Sequence, residues 1–194
     1  KFLQANLTNA EVNNSSQSIS AFTSDGFTTG TANPGNEAAS TTKGFMSWNW
    51  KAGGAGSANT DGSINTIATS VNTTAGFSIS KYVGTGSNAT IGHGLGAVPQ
   101  VVIARNITDD EQWTTYHAGL DSEATRVDEA AVWNDTAPTS SVFSVGSSGA
   151  PNGSGDDHIA YCFAEKKGFS KFGSYVGNAN TNGPYIYCGF KPAW

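Results

Sequence analysis

Charge is what this sequence has least of. Only 13% of its 194 residues are Asp, Glu, Lys or Arg, about half the share of an ordinary globular chain. Ten basic and fifteen acidic residues leave a formal charge of −5, and Lys166-Lys167 is the one adjacent basic pair. Nothing here would neutralise a row of phosphates, which excludes a nucleic-acid partner, and no polybasic patch addresses a membrane surface. Apolar runs are short too: none approaches the ~20 residues of a spanning helix, so no membrane insertion is expected. Helix formers are scarce, with one Met, few Leu and no run mixing Glu, Lys and Ala. The opening Lys1-Phe2-Leu3-Gln4 has neither the basic nor the apolar region of a signal peptide; the expectation is a leader already removed or never used. Two cysteines say little about compartment. Cys162 and Cys188 sit in the aromatic runs Tyr161-Cys162-Phe163 and Tyr187-Cys188-Gly189, which favours buried free thiols acting as small apolar residues, with a disulfide as the alternative.

What fills the chain instead is Gly, Ser, Thr and Asn, together with five Trp, six Tyr and ten Phe. Disordered chains lack that aromatic content, so this one buries a core. Thr, Val, Ile and aromatics are strand residues, and the expected fold is all-β: an antiparallel, jelly-roll-like β-sandwich built of repeat units. Within it strands are expected over 77–82, 100–106, 113–117, 127–132, 141–145 and 158–164, with a helical turn over 121–129 as the alternative to the fourth. The run Pro99-Gln100-Val101-Val102-Ile103-Ala104 is continuously apolar and reads as an interior strand.

Internal similarity is the most informative feature. Residues 22–54 and 143–168 both run from a Phe-Ser/Thr strand through a Gly/Asn/Pro loop into an alternating aromatic strand, where Met46, Trp48 and Trp50 match Ile159, Tyr161 and Phe163. Such period-two spacing puts large side chains on one sheet face. Residues 76–99 and 168–192 form a second pair: Gly-Phe-Ser opens both, Tyr82-Val83-Gly84 matches Tyr175-Val176-Gly177, and Gly-Leu-Gly around Leu95 matches Gly-Phe around Phe190. The expected organisation is therefore 1–54 as the back half of a unit, 55–75 as an insert with an edge strand through Ile64, Thr66 and Ala68, 76–168 as a complete sandwich, and 169–194 as the front half of a further unit that complements 1–54. A chain opening and closing mid-unit is expected to be a fragment of a longer fibre or to be completed by neighbouring subunits.

Several motifs together carry a resemblance. Trp48-Asn49-Trp50-Lys51-Ala52-Gly53-Gly54, Asn59-Thr60-Asp61-Gly62-Ser63-Ile64, His93-Gly94-Leu95-Gly96-x-x-Pro99, Trp113-x-x-Tyr116-His117, Tyr161-Cys162-Phe163-Ala164-Glu165 and Lys171-Phe172-Gly173-Ser174-Tyr175 resemble repeat domains of bacteriophage tail-fibre-like and other virion structural proteins, notably of marine phages. The resemblance spans the chain from about residue 22 onward. It implies a place on the virion, an extracellular particle, with roles in assembly and host attachment, and it carries no active site across. The expected partners are other copies or other virion proteins, with a host-surface glycan as a further one. A carbohydrate-binding adhesion module of a secreted or cell-surface protein is the competing function.

Candidate chemistry is thin. His93, His117 and His158 have no compact metal-ligand spacing. Residues 152–157, Asn-Gly-Ser-Gly-Asp-Asp, offer oxygens for calcium but lack the carboxylate alternation of a calcium loop, so a long hairpin loop is favoured. Asp109, Asp110 and Glu111 read as a turn rather than as paired catalytic acids, and no nucleophile elbow occurs in a strand–turn–helix setting. No enzyme activity, metal or cofactor is expected. A sugar contact is the one site named: Trp113, Tyr116 and His117, where flat apolar faces adjoin acids and amides, although the alternation of a strand sends Trp113 and Tyr116 to opposite faces.

Overall fold

The computed structural model describes residues 1–14, 16, 18–31, 45–119, 133 and 136–192; the strand or helical turn expected within 121–132 lies outside them. Turn residues cut the chain into short strands: β1 (Ile19–Phe22), β2 (Phe27–Thr29), β3 (Ala68–Asn72), β4 (Phe77–Val83), β5 (Ala89–Gly92), β6 (Val101–Asn106), β7 (Thr114–His117) and β8 (Val142–Val145), then a single helical turn α1 (Gly149–Asn152) and β9 (Asp157–Phe163). The fold is all-β, with every ladder between these strands antiparallel.

Five strands make the main sheet in the order β3-β4-β9-β6-β7. Strand β9 lies at its centre, paired with β4 from Phe77↔Phe163 to Val83↔Asp157 and with β6 from Val101↔Phe163 to Asn106↔His158. The apolar run read over Pro99–Ala104 falls on β6, an interior strand of this sheet. The edge strand of the 55–75 segment is present but shifted toward its end: the ladder covers Ala68–Asn72, while Ile64 makes one parallel bridge to Ile91. Two further pairs, β5-β8 and β1-β2, complete the strands. Strand β5 escapes the sequence reading because Ala-Thr-Ile-Gly carries a single large apolar side chain.

Alternation decides what each face of the main sheet holds. Tyr82, Val102, Ala104, Ala160 and Cys162 turn inward, where they meet Ala89, Ile91, Phe143 and Val145 of the β5-β8 pair; Ile64 and Leu95 belong to the same buried cluster. The largest side chains of this core are anchored as well as buried. The Tyr82 hydroxyl donates to the Pro151 carbonyl at 2.6 Å, and its ring meets Phe143 edge-on. Asn152, wholly buried, donates to the carbonyls of Ser87 and Gly146 and accepts from the Thr85 N–H, tying α1 to the loop before β5.

Toward β3 the interior is held by hydroxyls. The Asn59 N–H donates to Thr66 Oγ1, which bonds Thr69 Oγ1, which bonds Ser80 Oγ, and Ser80 donates to the Gly92 carbonyl. Paired in this way, Thr and Ser enter a core without the desolvation cost of a lone polar group. Glycine at 92 is required by the close approach of the Asn59 side chain, into which a Cβ would project. Gly76, at φ 69°, closes the turn from β3 to β4 in a conformation that favours glycine.

Two buried histidines are held neutral. His93 Nδ1 accepts from the Leu95 N–H, leaving Nε2–H to donate to the Thr139 carbonyl. His158 Nε2 accepts from the Gly153 N–H while Nδ1–H donates to the Asp156 carbonyl, and its ring stacks on Tyr82. Burial pushes both below the ordinary value of 6.5. Since the unfolded chain takes up these protons first, the stability they protect is complete above about pH 6.5 and is lost as pH falls through the depressed folded values. The urea midpoint is expected to drop between pH 7.5 and 5.5, and His158→Gln should flatten that slope. A second expectation concerns the hydroxyl chain: Ser80→Ala strands the groups it bonds and should cost about 1–3 kcal/mol in urea denaturation.

Candidate functional site

The main sheet has a second apolar face. Opposite the core lie Phe77 and Ile79 of β4, Ile159, Tyr161 and Phe163 of β9, Val101 and Ile103 of β6, and Thr115 and His117 of β7, all buried or half-buried. Segments distant in sequence cover it. Trp50 packs on Phe77 and Phe163, at ring separations of 6.4 and 5.8 Å; Phe77 and Phe163 meet at 5.0 Å; Phe172 also meets Phe163, at 6.0 Å. The residues before β1 lie over the β6–β7 end, where Ala10 N–H donates to Asp110, Glu11 N–H to the Ile107 carbonyl, and Arg105 Nη2 to the Asn9 carbonyl.

The named sugar candidates fall on this architecture as follows. Trp113 joins the outer face: its ring stacks on Tyr161, the Arg105 guanidinium lies 5.6 Å from its centre, and its N–H donates to the Gln4 carbonyl. Tyr116 points to the opposite face, against Trp133 and the core, where burial raises its phenol above the ordinary range. His117 Nδ1 accepts from the Gly119 N–H. The structure therefore brings Trp113 together with Tyr161 and Arg105 rather than with Tyr116. Arg105, 96 residues from Asn9, was invisible as a site residue: a lone Arg in a strand gives no sign of what covers it. Its guanidinium is wholly buried, with Nε and Nη1 lacking an acceptor among the described residues. Desolvation lowers its pKa, opposed by the charges of Asp110 and Glu111.

The acid-rich loop is occupied with its own folding. Asp156 accepts from the Asn106 amide, Asp157 pairs with Lys81 at 2.7 Å, and Asn152 is engaged as described above. Among the described residues no group of three or more His, Cys, Asp or Glu could hold a metal ion, and no helix is long and apolar enough to cross a membrane.

Both cysteines are free. Cys162 is fully buried at the centre of the main sheet, and desolvation pushes its thiol up to about 12. Cys188 is half-buried, its Sγ near the Ile186 carbonyl. A thiol reagent near pH 8 should modify one cysteine of the native chain, Cys188, and reach Cys162 only after unfolding; intact-mass spectrometry with and without denaturant reads the difference.

What remains conspicuous is apolar surface outside these contacts. Phe22, Phe45, Met46, Phe169, Tyr175, Val176, Tyr185 and Tyr187 are all more than half exposed. They fall within residues 22–46 and 169–187, and among the described residues no strand ladder runs through 45–50 or 171–192.

No curated protein and no solved structure matches the chain. Residues 1–194 match one family throughout, and the chain belongs to it: the domain of unknown function DUF7483.

Proposed function

We propose that this chain is a non-catalytic assembly protein whose exposed aromatic segments join it to further copies of itself, and that its setting is a bacteriophage virion. There it would serve as a tail-fibre-like or other surface appendage component, acting in assembly and host attachment. The observation that carries the reading is the exposure of Phe22, Tyr175, Tyr185 and Tyr187 in segments that repeat the packed strands. Apolar side chains left in water gain about 25 cal/mol per Å² when covered, so a rigid sandwich bearing several of them is driven toward association. Low charge helps, since −5 over 194 residues gives copies little reason to repel one another. The motif resemblance supplies the virion setting, and the division into jelly-roll-like repeat units belongs to the same proposal.

Light scattering at micromolar concentration is expected to show an oligomer; a monodisperse monomer would count heavily against self-assembly. The virion setting is tested separately. Antibodies to the chain should decorate intact phage particles purified on a density gradient, and labelling confined to the particle-free fraction would exclude that setting.

A further inference from the structure

The two duplicated portions can be set against the strands they copy, residue by residue. Phe22 stands where Phe143 stands in β8, and Met46, Trp48 and Trp50 stand where Ile159, Tyr161 and Phe163 stand in β9. In the later portion Phe169-Ser170 copies Phe77-Ser78 of β4, and Tyr175 copies Tyr82 after one inserted residue between them. Ile186 copies Ile91 of β5, counted back from the match of Gly189-Phe190 with Gly94-Leu95. Backbone geometry agrees with this alignment. Gly76 and its counterpart Gly168 have φ of 69° and 78°, and Gly94 and its counterpart Gly189 have 68° and 80°, so both turn glycines of the copy keep the left-handed conformation of the original.

Burial separates copy from original. Tyr82, Ile91 and Phe143 are 0% exposed, whereas Tyr175, Ile186 and Phe22 are 68%, 47% and 80% exposed. The three residues that should fill a core are in solvent. Moreover, the earlier portion holds only copies of β8 and β9, and the later one only copies of β4 and β5. These are partners: β4 pairs with β9 and β5 with β8. Each portion contains what the other lacks.

Resting on the self-assembly reading above, we propose that two copies of this chain complete one another. The earlier portion of one copy pairs with the later portion of the second, in the local registers of the packed sandwich, with a one-residue bulge between Ser170 and Tyr175. From Thr90↔Ser144 and Ile91↔Phe143 the new ladder sets Tyr185 opposite Thr23 and Ile186 opposite Phe22. From Phe77↔Phe163 and Ser78↔Cys162 it sets Phe169 opposite Trp50 and Ser170 opposite Asn49, which requires the turn in which the Phe169 and Ser170 N–H groups donate to the Lys166 carbonyl to open. The second edge of β1, which pairs only with β2 among the described residues, receives residues 185–187. A second copy is the occupant because the chain itself carries the matching sequence and register. Within one copy the two portions approach the same ring, Phe163, through Trp50 and Phe172, and no ladder among the described residues joins them.

Directly opposed residues of antiparallel strands have Cα separations within disulfide reach. The test mixes full-length Thr23→Cys with full-length Tyr185→Cys, each also carrying Cys188→Ser, under a mild oxidant. A reducible heterodimer is expected to dominate, and Asp25→Cys, two residues out of register, should give at least tenfold less of it with Tyr185→Cys. No heterodimer, or equal yield from the shifted pair, would overturn the proposal. A doubly substituted chain, Thr23→Cys with Tyr185→Cys, that closes only within itself would overturn the second-copy assignment. As an independent readout, Phe22→Ser and Ile186→Ser alter exposed side chains and should leave circular dichroism unchanged while weakening association at least tenfold. Association unaffected by both would also refute the register. An oligomer seen by light scattering without the heterodimer leaves self-assembly standing and removes this pairing alone; a monomer removes both.

Discussion

The pairing of β9 on both sides is the constraint on which the rest of this structure depends. It is the last strand to appear in the chain, yet it lies between β4 and β6 and is bonded to each along most of its length. Its alternation must serve two environments at once. His158, Ala160 and Cys162 turn to a dry core, and Ile159, Tyr161 and Phe163 to an outer face that more distant segments cover. A one-residue slip would exchange the two sets, placing large rings where Ala160 and Cys162 now allow the β5-β8 pair to approach. Small inward residues on β9 are thus what permits Tyr82 and Phe143 to fill the space between the sheets.

Much of this was legible in the sequence because strand periodicity is local. Strands β4, β6, β7, β8 and β9 were each marked by alternating or continuous apolar residues bounded by turns, and the all-β class followed from composition. What was hidden is long-range. Ala89–Gly92 becomes a strand because Val142–Val145 lies opposite it, a fact no window around residue 90 contains. The alternation at Met46, Trp48 and Trp50 reads as strongly as any strand, but alternation states a fitness for pairing and cannot supply the partner. The same limit applied to the site. The opposite faces of Trp113 and Tyr116 could be foreseen from spacing, whereas the covering of Arg105 by Asn9 depends on a contact across nearly half the chain.

The proposed exchange between two copies has consequences for geometry beyond the single chain. If the exchange is reciprocal between the same two molecules, the result closes as a twofold dimer. If each molecule offers its later portion to a new neighbour, the contact is head-to-tail and grows into a ring or a filament.

The hydroxyl chain from Thr66 through Thr69 and Ser80 has a thermal consequence. Heat capacity rises on unfolding as apolar surface is wetted and is reduced as polar surface is wetted. An interior partly built of Thr, Ser, Asn and neutral His therefore yields a smaller heat-capacity increment than an aliphatic core of equal size. A shallower stability curve than that of an aliphatic core is expected, with a smaller loss on cooling, when the hydrophobic contribution weakens. Such a core trades peak stability for constancy across temperature.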